Sequence, residues 1–245
     1  MDLFLFALIT MFATCVQGVS GMGFGMVIMP FYVAMLGPHY SVVWASVISS
    51  LVNVAMMVAL WKEINWRRFA PLAAYSIPGM IIPMILLLFI PERAAMLVLG
   101  VLMLVLVVFS FFASHFKPMP LPIANASLGF ASGVTSMFVS QAGPVMAAYA
   151  QATRWEQREF AATVQPLFMV MNVVVVSGRV LVDGQGAAFR VLPPSTIVVS
   201  VAAVIVGIVL TKFLRAFIKP SWARAIALTV AFLGSLKVLW SAIVG

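Results

Sequence analysis

Charged side chains are scarce in this chain of 245 residues. Only 8% of the residues are Asp, Glu, Lys or Arg, whereas 64% are hydrophobic. A soluble domain carries about a quarter charged residues, so this composition excludes an ordinary soluble protein. The hydrophobic residues fall in blocks of about 20 or more, which is the length that a helix needs to cross a bilayer. We therefore predict an all-α, polytopic membrane protein embedded in a lipid bilayer.

Cysteine and histidine are almost absent, and the acidic residues avoid the hydrophobic blocks. Cys15 is the single cysteine, which excludes a disulfide framework. No serine–histidine pair, paired carboxylates or metal-ligand group lies within the blocks, so we expect no enzymatic activity, no bound metal and no cofactor. Transporters coupled to protons or sodium usually carry buried carboxylates, and their absence argues against a cation substrate. The six acidic residues are Asp2, Glu63, Glu92, Glu156, Glu159 and Asp183.

Basic residues outnumber the acidic ones and give a formal net charge of +8. They lie at the ends of the hydrophobic blocks, where lysine and arginine set membrane orientation, so we expect no nucleic-acid partner. The links between the blocks are too short for a soluble domain, and residues 1–245 are predicted to form one membrane domain. The blocks span approximately residues 3–36, 41–61, 69–90, 94–114, 119–151, 159–181, 192–214 and 222–244.

Two glycine-rich runs resemble each other. Residues 17–25 read QGVSGMGFG, and residues 129–136 read GFASGVTS and lead to SQAGP at 140–144. A shift of 115 residues places the first run on the second. Each run lies in a block too long for one straight crossing of the bilayer. The pattern predicts two repeats, about 1–116 and 117–245, in which the first and fifth segments are broken or re-entrant.

The distribution of basic residues favours two inverted repeats. In the inverted arrangement, ten lysines and arginines collect on one side and three on the other, whereas parallel repeats give six against seven. The side rich in lysine and arginine is generally cytoplasmic. We therefore predict inverted repeats with both termini outside the cytoplasm. The rule leaves open whether the first and fifth segments are re-entrant hairpins or pairs of short crossing helices.

The two runs are predicted to bind a small anion. A helix that begins within the membrane presents unpaired N–H groups and a partial positive charge, and glycines let a ligand approach the backbone. Hydroxyl and amide side chains nearby add further donors. The alternative is that the small residues only mark close helix packing. The predicted substrate-binding residues are Gly18, Ser20, Gly21, Gly23, Gly25, Asn53, Ser132, Gly133, Thr135, Ser136, Ser140, Gln141, Gly143, Gln165 and Asn172.

These motifs resemble those of a known family of membrane permeases. Glycines 18, 21, 23 and 25 followed by Pro30, a related Ser-Gly…Gly-Pro pattern ending at Pro144, and about eight apolar segments are similar to the sulfite exporter TauE/SafE family. The resemblance covers nearly the whole chain. It implies the movement of sulfite, sulfonates or related sulfur oxyanions.

Two functional hypotheses follow. The first is a permease of the cell membrane, expected to be the bacterial inner membrane, that exports a small sulfur oxyanion by alternating access. The second is a membrane scaffold or accessory subunit without transport activity, in which the glycines serve helix packing alone.

Overall fold

The computed structural model describes residues 3–112, 117–182, 189 and 195–244, and the hydrophobic blocks within these ranges form helices. No strand occurs in these residues. A short 3₁₀ turn spans Trp61–Glu63, and a π-helical turn spans Asn125–Gly129. The helices are α1 (Leu3–Ser20), α2 (Phe24–Ala59), α3 (Trp66–Leu87), α4 (Glu92–Phe112), α5 (Leu121–Ala124), α6 (Phe130–Val139), α7 (Gly143–Ala152), α8 (Gln157–Val182), α9 (Ser195–Phe217) and α10 (Pro220–Val244).

Seven helices in the described part of the chain, α1–α4 and α8–α10, are long and apolar enough to cross a bilayer. Large apolar side chains such as Phe89, Leu181 and Phe217 are 78–87% exposed on the outside of the helix assembly, where only lipid covers them favourably. The predicted all-α, polytopic fold is confirmed. The number of spanning helices is lower than the eight predicted blocks because the fifth block is divided among shorter helices, α5–α7.

The first and fifth blocks are both broken. Helix α1 ends at Ser20, and the chain turns into α2 through Gly21 (φ 80°) and Gly23 (φ 113°), a left-handed backbone that glycine adopts without strain. Helix α6 ends at Val139, and Ser140 (φ 52°) takes the same conformation before α7 begins. The amide of Gly21 donates to the carbonyl four residues earlier at 2.8 Å, and the amide of Ser140 does the same. The two breaks therefore share one local geometry.

The two breaks are 119 residues apart, and this spacing also relates the helices around them. Helix α2 begins at Phe24 and α7 at Gly143. A kink at Gly37 (φ 76°, ψ 174°) divides α2, and the residue after it lies 119 residues before the start of α8 at Gln157. The sequence shift of 115 residues differs from this correspondence by about one helical turn. Gly18 and Gly133, which that shift superimposes, are therefore not in equivalent positions.

Two helix pairs, α2 with α8 and α4 with α10, run antiparallel. Asn65, just after α2, donates from its side-chain amide to Glu159 at the start of α8. At the other end of this pair, Arg179 Nη1 lies 3.3 Å from His39 Nδ1. Helices α4 and α10 are also antiparallel, because Arg93 in the first turn of α4 donates to the carbonyl of Ile243 at 3.2 Å.

Glycines bring the remaining helix pairs close together. Helix α1 packs on α9, and α6 packs on α3. A Cβ atom added to Gly18 would collide with the Thr211 side chain, and one added to Gly133 would collide with the carbonyl oxygen of Ser76. Such small residues at helix crossings are typical of membrane proteins. Close helix packing therefore explains why positions 18 and 133 hold glycine.

Candidate functional site

The two breaks touch each other in the interior. Ser140 Oγ lies 2.9 Å from Ser46 Oγ on α2, and Gln141 Nε2 donates to the carbonyl of Gly25 at 3.2 Å. A Cβ atom on Gly25 would lie 2.5 Å from the carbonyl oxygen of Ser140, closer than two such atoms approach in proteins. Glycine at position 25 therefore permits the contact between the start of α2 and the end of α6.

A cavity lies where the breaks meet. It has about 420 Å³ of space between atoms, part of it open to solvent. None of the described residues around it is charged. The lining residues are Gln17, Gly23, Phe24, Gly25, Met26, Ser49, Ser136, Ser140, Gln141, Ala142, Gly143, Pro144, Phe168 and Asn172.

Two helix N-termini contribute to the wall of this cavity. Neither α2 nor α7 has a side-chain hydrogen bond at its N-cap, where Gly23 and Ala142 stand. The first helical bonds run from the amides of Val27 and Met146 back to these caps, at 3.1 and 3.0 Å. The amides of the first turns therefore have no partner within their own helices. Together with the partial positive charge of each helix end, they suit an anionic ligand.

Two amide side chains of the lining are buried and incompletely hydrogen-bonded. Asn172 is 5% exposed, and its Nδ2 has no partner among the described residues. Gln141 is 2% exposed, and its Oε1 likewise lacks a partner there. An unsatisfied buried polar group costs about 1–3 kcal/mol. A ligand or water that hydrogen-bonds these amides would remove that cost.

The amide pair Gln17–Asn53 differs from Asn172 in being satisfied. Gln17 Nε2 donates to Asn53 Oδ1 at 2.9 Å, and Asn53 Nδ2 lies 3.3 Å from Ser49 Oγ. Asn53 is fully buried and does not line the cavity, whereas Gln17 does. The pair therefore joins α1 to α2 beside the cavity.

Arginines hold the carbonyl ends of both broken helices. Arg215 on α9 donates from Nε and Nη2 to the carbonyl of Gly18, at 2.9 and 2.6 Å. Arg179 on α8 donates from Nη2 to the carbonyls of Met137 and Phe138, at 3.0 and 3.2 Å. A cation at a helix C-terminus satisfies the last carbonyls and interacts favourably with the helix dipole. These bonds stabilise α1 and α6 at the points where they end inside the protein.

A model of the family "Sulfite exporter TauE/SafE" matches residues 6–238 of the chain. The chain belongs to this family. The resemblance seen in its glycine runs is thereby confirmed, and membership identifies a multi-pass membrane transporter for sulfur anions. No curated protein and no solved structure matches the chain.

The structure brings seven of the fifteen predicted site residues of this TauE/SafE chain to the cavity. Three others lie directly behind the lining. Gly21 lies in the turn between α1 and α2. The Ser20 hydroxyl lies within hydrogen-bond distance of the carbonyls of Val16 and Met22, and Gln165 Nε2 donates to the carbonyls of Ala161 and Gly21 at 2.8 and 3.5 Å. The seven lining residues are Gly23, Gly25, Ser136, Ser140, Gln141, Gly143 and Asn172.

The other predicted residues have structural contacts away from the cavity. Ser132 donates to the carbonyl of Gly129 at 2.6 Å, and Thr135 donates to the carbonyl of Ser132 at 3.2 Å. Both lie within α6, because the second glycine run is helical and the break follows it at residues 140–142. Gly18 and Gly133 make the helix crossings described above, and Asn53 is bonded to Gln17.

Three informative lining residues, Gln17, Ser49 and Phe168, are absent from the predicted set. Gln17 begins the first glycine run, and its polar side chain inside a hydrophobic block is a signal that could have identified it. Ser49 lies one helical turn before Asn53, so the face of α2 that carries Asn53 also indicates it. Nothing in the sequence distinguishes Phe168 from the other apolar residues of α8.

Proposed function

We propose that the protein carries a small sulfur oxyanion, such as sulfite or an organosulfonate, outward across the cell membrane. The observation that supports this proposal best is the uncharged cavity at which two helix N-termini without side-chain caps converge. Beside them lies a buried amide, Asn172, whose Nδ2 lacks a partner among the described residues. Among membrane transporters, substrate anions commonly bind at such half-helix N-termini.

The proposed binding chemistry uses neutral donors in place of a counter-charge. The first-turn amides of α2 and α7, the hydroxyls of Ser136 and Ser140 and the amide of Asn172 would replace the hydration shell of the oxyanion. Because no described lining residue is cationic, the anion would not form an ion pair that holds it permanently. This suits a carrier that must release its substrate on the other side.

Export needs no coupling ion in this proposal. Each negative charge that leaves a cell with a negative interior gains about 2.3 kcal/mol per 100 mV. The absence of acidic residues from the cavity lining is consistent with a mechanism that does not depend on protonation of a carboxylate.

We further propose that the two halves are inverted repeats that rock against each other to open the cavity alternately to each side. The antiparallel pairs α2–α8 and α4–α10 support this arrangement, as does the shared geometry of the two breaks. We also propose that the protein lies in the bacterial inner membrane, and the excess of basic residues on one side supports an orientation with both termini outside the cytoplasm.

Flux in proteoliposomes tests the proposal. Vesicles that contain the purified protein are loaded with sulfite or sulfoacetate, and efflux is recorded with and without an interior-negative potential. We expect saturable efflux that rises with the potential, and none from protein-free vesicles. The absence of saturable flux for sulfite, thiosulfate, sulfate and sulfonates would contradict the proposal. The scaffold hypothesis instead predicts that none of these anions raises the melting temperature and that a partner protein co-purifies.

A further inference from the structure

A second, larger cavity adjoins the central one. It has about 880 Å³ of space between atoms, part of it open to solvent. Gly23, Met26 and Pro144 line both cavities, so the turn between α1 and α2 and the start of α7 lie between them. We refer to the larger cavity as the vestibule. Its other lining residues are Met22, Ser110, Phe111, Ala147, Ala150, Gln151, Gln157, Phe160, Arg224, Ala227 and Leu228.

Arg224 is the only charged residue among the described residues that line the vestibule. Its side chain is half-buried, and its Nε is inaccessible to solvent without a hydrogen-bond partner in the described part of the chain. Three other arginines of this protein have identified interaction partners. Arg215 is bonded to the carbonyl of Gly18, Arg158 is paired with Glu63 at 2.6 Å, and Arg68 lies 4.8 Å from the centre of the Trp155 ring.

The vestibule opens at the end of the molecule that carries the α7–α8 link. Gln151 lies in the last turn of α7, Gln157 begins α8, and Arg224 lies in the first turns of α10. By the distribution of basic residues, this is the end proposed to face the cytoplasm. An anion that leaves the cell would therefore pass the vestibule before it reaches the central cavity.

We propose that Arg224 attracts the substrate anion into the vestibule and forms its first contact there, a role that rests on the proposed transport function. A single positive charge between apolar walls concentrates the electric field and raises the local concentration of anions. The planar guanidinium presents parallel N–H donors that match two oxygens of an oxyanion.

The test measures flux of sulfite at several concentrations and at two ionic strengths for wild type, Arg224→Gln, Arg224→Lys and Arg158→Gln. Arg158→Gln removes the same charge from the same end of the molecule but outside the vestibule. We expect Arg224→Gln to raise the KM about fivefold or more with Vmax within about twofold, and to weaken the dependence of flux on salt. Arg224→Lys should fall between this variant and wild type, and Arg158→Gln should resemble wild type.

The outcomes separate this proposal from the transport function. If Arg224→Gln and Arg158→Gln give the same KM and the same salt dependence, Arg224 has no role in attracting the anion. If Arg224→Gln lowers only the melting temperature, and does so in vesicles of anionic lipid, the arginine binds a lipid headgroup and the proposal is overturned. Wild-type protein without saturable flux would overturn the transport function together with this role. Size-exclusion profiles of all four proteins identify any variant that fails to fold, and Arg224→Lys then supplies the comparison.

Discussion

The two halves of the chain place similar polar residues around the central cavity but satisfy them differently. In the first half, Gln17 on the last turns of α1 donates to Asn53 on α2. In the second half, the positions 119 residues later hold Ser136 on α6 and Asn172 on α8. No hydrogen bond joins these two side chains, and the Nδ2 of Asn172 has no partner in the described part of the chain.

This difference indicates that the two halves contribute differently to the site. In the first half, the hydrogen bond between Gln17 and Asn53 joins α1 to α2. The second half has a shorter side chain in the place of Gln17, so its asparagine amide stays unsatisfied at the cavity wall. We therefore expect the second half to supply the side-chain donors for the anion, while the first half contributes mainly the backbone amides of α2.

The largest effect is expected where the halves touch. Gly25→Ala places a Cβ atom 2.5 Å from the carbonyl oxygen of Ser140, a backbone atom that cannot move aside. We expect flux to fall at least tenfold, which corresponds to about 1.4 kcal/mol. Gly143→Ala is the matched control in the other half, because its nearest neighbour would be Met22 Cβ at 3.7 Å, an ordinary contact.

Flux of both glycine variants in proteoliposomes, at equal amounts of reconstituted protein, measures this difference. Gly143→Ala should remain within about twofold of wild type. Equal losses in the two variants would mean that the contact between Gly25 and Ser140 does not limit transport.

A smaller effect is expected from making the second half resemble the first. Ser136→Gln should let the new side chain reach Asn172, as Gln17 reaches Asn53, and so occupy the free amide. We expect flux to fall about fivefold, or about 1 kcal/mol, with no loss of melting temperature. Ser136→Ala, which adds no amide, should stay close to wild type in thermal unfolding and should retain more flux than Ser136→Gln. The opposite order of the two variants would show that the Ser136 hydroxyl, and not the free Asn172 amide, matters for transport.

The smallest effect on transport is expected from breaking the hydrogen bond between Gln17 and Asn53. Gln17→Ser removes the donor to the buried Asn53, and such interhelical hydrogen bonds in membrane proteins are worth about 0.6 kcal/mol on average. We expect a lower melting temperature and a smaller change in flux than for Ser136→Gln. The double variant Gln17→Leu with Asn53→Leu should recover part of the lost stability, because replacing both partners leaves no unsatisfied group. A double variant less stable than Gln17→Ser would mean that Asn53 makes a further contribution.

The helical fold followed from the sequence because each hydrophobic block exceeds the length of a bilayer crossing and charged residues lie between the blocks. The break in the first block is also predictable from the sequence, because it requires positive φ values at positions 21 and 23 and both positions hold glycine. The second break lies at residues 140–142, after the glycine run at 129–136 that predicts it. There Ser140 adopts the left-handed conformation, which cannot be predicted from a serine in the sequence.

The candidate site was only partly predictable for the same physical reason. A single sequence does not distinguish a glycine that breaks a helix from a glycine that lets two helices pack closely. Gly25 and Gly143 line the cavity, whereas Gly18 and Gly133 lie at helix crossings. Polar residues raise a similar ambiguity, because whether an amide faces a partner or a cavity depends on the neighbouring helix. Gln17 and Asn53 illustrate this, since each satisfies the other.

An experimental structure of the protein with sulfite bound tests the proposed anion site most directly. We expect density for the anion between the first turns of α2 and α7, with its oxygens about 2.7–3.2 Å from the amide of Gly25 and from the side chain of Asn172. An anion bound elsewhere, or a central cavity that holds only water at saturating sulfite, would contradict it.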